Sequence, residues 1–136
     1  MDIINTKYYD GFEGEGEIQF IRVLGNGNRK ILSLWYAYFE IIMNSIIPIN
    51  FNLDELNEFE YLYIKREGWY DESPWQILDI DSAINQLKKS DINNLEYDDK
   101  MKLKRILNKI PKVIKEIKQF LIEAKELNEK VYISYE

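Results

Sequence analysis

The chain has 136 residues, 46% of them hydrophobic, 31% charged and 14% aromatic, with a net charge of −6 and neither cysteine nor histidine. So much apolar material argues against disorder and suffices for one folded domain, spanning 1–136, without a disulfide or metal staple. Zinc sites built from Cys or His, cysteine nucleophiles, Ser-His-Asp triads and imidazole bases are excluded by composition alone.

Residues 3–9 form a short β-prone run, and the loop Asp10-Gly11-Phe12-Glu13-Gly14-Glu15-Gly16 follows, its glycines making regular structure costly. Residues 17–24 alternate, with Ile18, Phe20, Arg22 and Leu24 on one face and Gln19, Ile21 and Val23 on the other. Gly25-Asn26-Gly27-Asn28 is a hairpin signal, because Asn and Gly tolerate the positive φ of tight turns. The return run over 31–39 is apolar on both faces, as in a central strand, yet Leu32, Trp35, Phe39, Ile42 and Ile46 also fit a helix. Its aromatic and β-branched content and the preceding turn favour the strand. Residues 46–51 are another β-prone piece, placed at a sheet edge or bulge because Pro48 lacks an amide donor. Asn52 and Glu55 have the spacing of a capping box for a short helical turn.

Residues 59–66 alternate and read as a strand, 68–74 as a loop, and 75–80 as the last strand of a meander. Asp81 is placed to cap a helix over 82–89. From 98 to 128 the apolar residues recur every three or four positions, the pattern of a long amphipathic helix that Pro111 must kink or break near 108–111. Residues 131–135 alternate and fit a strand that rejoins the sheet. Strands, then helices, then one strand indicate an α+β fold: an antiparallel sheet, with C-terminal helices packed on one face.

Charge is segregated. Residues 1–81 carry 15 acids and 6 bases, residues 82–136 carry 9 acids and 12 bases. The acidic part repels nucleic acid and suits a basic protein partner. Two segments concentrate its candidate contacts: Asp10, Glu13 and Glu15 in the first loop, and Trp69, Tyr70, Asp71 and Glu72 in the second. Trp and Tyr give rigid contact area at low entropic cost, and the acids steer a basic partner. Trp75, by contrast, fits a place beneath the helices. The first loop lacks the EF-hand spacing, so its acids read as a solvated surface rather than a calcium site. Lys100, Lys102, Lys104, Arg105, Lys109, Lys112, Lys115 and Lys118 line one helix, opposed between 100 and 118 by Glu116 alone. They fit the wet face of that helix; the alternative is a phosphate-gripping, nucleic-acid-associated module. No phosphate loop or nucleophile elbow is present, so the expectation is a binding protein rather than an enzyme, with no cofactor or metal.

In size, charge and aromatic-acidic loops the chain resembles the small acidic immunity proteins of bacterial polymorphic and contact-dependent toxin systems. Gly68-Trp69-Tyr70-Asp71-Glu72-Ser73-Pro74-Trp75 comes nearest to carrying the likeness. The resemblance implies a single-domain cytoplasmic inhibitor that binds a cognate toxin, often a basic nuclease. The N-terminus shows no signal-peptide pattern and the run over 31–43 is too short and polar to span a bilayer, so no membrane association is expected.

Overall fold

A computed structural model describes residues 2–47, 50–65, 74–91 and 104–136. Its centre is the hairpin of β2 (Glu17–Val23) and β3 (Arg29–Trp35), paired antiparallel with Phe20 opposite Leu32. The turn closes as expected from its glycines and asparagines. The Leu24 amide donates to the Asn28 carbonyl at 2.8 Å, and Gly27 takes a φ of 86°, a region costly for a side chain. β5 (Lys130–Tyr135) pairs antiparallel with the other edge of β2 and places Ile133 opposite Phe20. β4 (Trp75–Ile77) then pairs antiparallel with β5.

β1 (Ile3–Tyr8) departs from a simple meander. It lies beside β3, in parallel, so the sheet runs β1-β3-β2-β5-β4 and is mixed. The chain therefore has to carry residues 9–16 across the end of β3 before β2 can begin. This crossing positions the acidic loop.

The helical alternative and the strand reading for 31–39 each hold over part of the run. β3 ends at Trp35, and α1 (Tyr36–Ile46) starts at the next residue. β2 begins at Glu17, which pairs with Trp35, so the ladder runs out there. Beyond it Tyr38, Phe39, Ile41 and Ile42 are buried at helical spacing. The edge strand expected over 46–51 is not formed among its described residues: Ile46 closes α1, and the Ile47 amide still donates to Met43. Asn52 caps a 3₁₀ turn (Leu53–Glu55) by accepting from the Asp54 amide, one residue earlier than a capping box requires.

The strand expected over 59–66 is instead α2 (Glu58–Lys65). Its aromatics are β-prone, but Phe59 and Tyr63, one turn apart, both pack edge-on against Phe39 of α1. Asn57 caps the helix by accepting from the Glu60 amide at 3.0 Å. β4 stops at Ile77, shorter than expected, because the next two amides, Leu78 and Asp79, donate to the Glu58 carboxylate. Asp79, not Asp81, caps α3 (Ile80–Lys88), accepting from the Ser82 amide; Asp81 forms an ion pair with Lys125.

The long C-terminal pattern divides where proline requires. A short helix, α4 (Lys104–Leu107), ends before Asn108, and α5 (Ile110–Glu126) begins with Pro111 in its first turn, where the missing amide is harmless. The expected helical residues 98–103 lie outside the described residues. Ile110, Val113, Ile117, Leu121 and Ala124 of α5 are buried. They join Ile18, Phe20, Leu32, Leu34, Val131 and Ile133 of the sheet in one core. The fold is α+β, with the C-terminal helices on one face of the sheet; Ile21 and Ile31, paired on the other face, lie outside that core. No helix among the described residues is long and apolar enough to cross a membrane.

One charge enters the helix-facing side. Arg22 follows Ile18 and Phe20 on β2 and is 3% exposed. Its Nε donates to Glu129 at 2.6 Å and its Nη1 to Glu123 at 2.8 Å, while the guanidinium lies over the Phe120 ring. The pair ties the centre of the sheet to the end of α5.

Candidate functional site: the acidic loop

The crossing from β1 to β2 holds three of the seven residues expected to meet a partner, Asp10, Glu13 and Glu15, and all three are exposed. The loop is built, not slack. Phe12, its one large apolar residue, stacks on Trp35 with ring centroids 3.9 Å apart and 5° between planes. Tyr38 of α1 meets both rings edge-on. The Tyr9 hydroxyl donates to the Glu15 carbonyl at 2.7 Å, closing the loop across its base. Turn bonds from Phe12 to Tyr9 and from Glu15 to Phe12 fill the interior, and Gly11 and Gly14 adopt positive φ. The Tyr36 amide donates to Gly16, joining the loop's end to the start of α1.

Glu13 contributes to this order. Its carboxylate accepts from the Gly11 amide at 3.1 Å. Hydrogen bonds from its own backbone amide and then from Gly11 hold the carboxyl below the ordinary range, so it stays ionised. Among the described residues, no lysine or arginine forms an ion pair with Asp10, Glu13 or Glu15. Two more carboxylates lie at the same end of the sheet. Glu17 and Glu136 exchange both backbone hydrogen bonds, and the Glu17 side chain accepts from the neutral groups of Ser33 and Gln19. Glu136 joins this end only because β5 returns beside β2. The placement of 131–135 in the sheet was the signal that could have found it. Among the described residues, no three carboxylates converge as a cation site requires.

Trp69, Tyr70, Asp71 and Glu72 lie outside the described residues. Trp75 is half-buried and packs against the core, as its sequence context suggested. The Phe12–Trp35–Tyr38 stack was not anticipated, because its members come from a loop, a strand end and a helix. Of the lysine-rich row, Lys109, Lys112 and Lys115 are exposed and Lys118 is half-buried, so those three present the wet face of α5. The site therefore comprises a rigid, aromatic-backed loop with uncompensated carboxylates. Such an arrangement can take a basic surface. Comparison of the chain with protein families, with characterised proteins and with solved structures gives no match.

Proposed function

We propose that the protein is a non-enzymatic binding domain that neutralises a cognate bacterial toxin by direct contact, as immunity proteins do. One observation carries the reading: the carboxylates of Asp10, Glu13 and Glu15 are exposed, free of ion pairs with described residues, and held in place by the Phe12–Trp35 stack. A solvated loop needs no such aromatic anchor. A docking loop gains from one, since order present before binding is not lost on binding. Carboxylates without an internal cation attract a basic patch and speed encounter, and in a nuclease that patch is the phosphate-binding cleft. Trp69 and Tyr70 of the second loop supply the anchors on this reading.

Co-expression with the product of the neighbouring gene tests it. The expected result is rescue from toxicity and a stable complex whose association rate falls with salt. Asp10→Asn with Glu15→Gln should slow association about tenfold or more. Phe12→Ala leaves the charge intact and loosens the loop, and should weaken the complex mainly through faster dissociation. Absence of both complex and rescue refutes the proposal.

A further inference from the structure

We infer that Asn26 is a site of spontaneous covalent modification: it deamidates through a succinimide closed with the Gly27 nitrogen, in the turn between β2 and β3. The turn lies at the end of the hairpin opposite the acidic loop, so nothing in this chemistry depends on the toxin reading. Asn26-Gly27 is the one Asn-Gly pair in the sequence. Both residues are exposed. The turn brings the reacting groups together. The Asn28 amide donates to Asn26 Oδ1 at 3.0 Å, which folds the Asn26 side chain back over the peptide group that follows it and sets Cγ beside the Gly27 nitrogen. Gly27 has no side chain, and a Cβ there would meet no atom within 4 Å, so neither the residue nor a neighbour shields that nitrogen.

The step balances with water and hydroxide as the only co-reactants. Hydroxide removes the Gly27 amide proton, and the nitrogen attacks Asn26 Cγ. The carbonyl electron pair moves onto Oδ1, where the Asn28 N–H already meets the oxygen that gains the charge. The Cγ–Nδ2 bond then breaks, and Nδ2 leaves as ammonia with a proton from water, which restores the hydroxide. Water opens the ring: cleavage at Cγ gives aspartate, and cleavage at the Asn26 backbone carbonyl gives isoaspartate. Nothing is oxidised or reduced. The Gly27 N–H donates to the Leu24 carbonyl at 2.9 Å, so one exposed turn bond has to open first. Other asparagines lack this combination. Asn44 and Asn85 lie inside α1 and α3, where the next amide is tied into the helix ladder. Asn5 is followed by Thr6 and Asn128 by Glu129, whose side chains crowd the nitrogen. Aspartate keeps an acceptor for the Asn28 amide and adds a negative charge. Isoaspartate adds a backbone carbon between Leu24 and Asn28, whose 2.8 Å bond closes the turn, and so loosens that end of the hairpin.

Ageing the chain, folded and in guanidinium chloride, at neutral and mildly alkaline pH tests this. Peptide mapping by mass spectrometry should show the amide-to-acid mass gain at position 26 before any other asparagine. Both aspartate and isoaspartate should form, and the rate should rise in proportion to hydroxide. The folded chain should react within about tenfold of the unfolded one, because opening one exposed turn bond costs little. Gly27→Ala should slow the reaction in both states, which separates crowding at the nitrogen from any distortion of the turn. A folded rate further below the unfolded one means that the turn protects Asn26, and overturns the inference. An earlier reaction at another asparagine, or aspartate formed without isoaspartate, does so too.

Discussion

Arg22→Met is the most informative single perturbation of this fold. Arg22 is 3% exposed, Glu129 is 8% exposed in its side chain, and Glu123 is 38% exposed. Methionine replaces the aliphatic stem over Phe120 but removes both ion pairs. The cost is set by what remains. Glu123 keeps water and Lys30 at 3.6 Å, so its loss of Arg22 is worth under about 1 kcal/mol. Glu129 is left as a buried carboxylate without its cation, and breaking such a pair from one side costs about 3–5 kcal/mol. Arg22→Met should therefore lose about 3–5 kcal/mol in urea unfolding, read from the midpoint at constant slope. Adding Glu129→Gln should recover more than half of it, while Glu123→Gln alone should cost under about 1 kcal/mol.

Acid supplies an independent check on the same triad. The Arg22 hydrogen bond, followed by that of Gln119, holds the Glu123 carboxyl below its ordinary value. A carboxyl lowered in the folded state contributes stability that is present above the unfolded pKa and is lost as pH falls through the folded one. Glu123→Gln should thus flatten part of the acid-side decline in stability. A loss below about 1 kcal/mol for Arg22→Met, or no recovery with Glu129→Gln, would refute the assignment of the cost to a stranded Glu129.

Three further outcomes are expected. Ile117 is fully buried in α5, so Ile117→Ala should cost about 2–5 kcal/mol in chemical denaturation, whereas exposed Lys115→Ala should change stability by a few tenths. Pro111 opens α5 after the turn at Asn108–Lys109, so Pro111→Ala should destabilise by up to about 1 kcal/mol by loosening the unfolded chain. Glu60 is buried, and desolvation raises its carboxyl above the ordinary value, so ionisation opposes folding. Stability should rise as pH falls through that group's folded pKa, and Glu60→Gln should raise the unfolding midpoint at neutral pH and remove that part of the profile.

What was legible in the sequence was local or strongly periodic. The 25–28 turn, the α5 stripe with its break at Pro111, and the return of 131–135 each depend on residues close together in the chain. The errors came where tertiary packing overrode propensity. Phe59, Tyr61 and Tyr63 alternate like a strand, and eight residues are too few for period alone to decide; the two contacts with Phe39 decide it. β1 beside β3 was equally hidden, because parallel neighbours leave no turn signature. The acidic loop was legible as a cluster of carboxylates, but its rigidity was not, since that rests on Trp35, which the sequence places two elements away.

The order of the sheet is what shapes the acidic loop. Inserting β3 between β1 and β2 sends the loop over the end of the sheet, where Phe12 meets Trp35. A β1 paired directly with β2 would have needed no crossing, and its loop would not have met Trp35. The parallel β1–β3 pairing, the least legible feature of the fold, is therefore the one on which the order of the proposed docking loop depends.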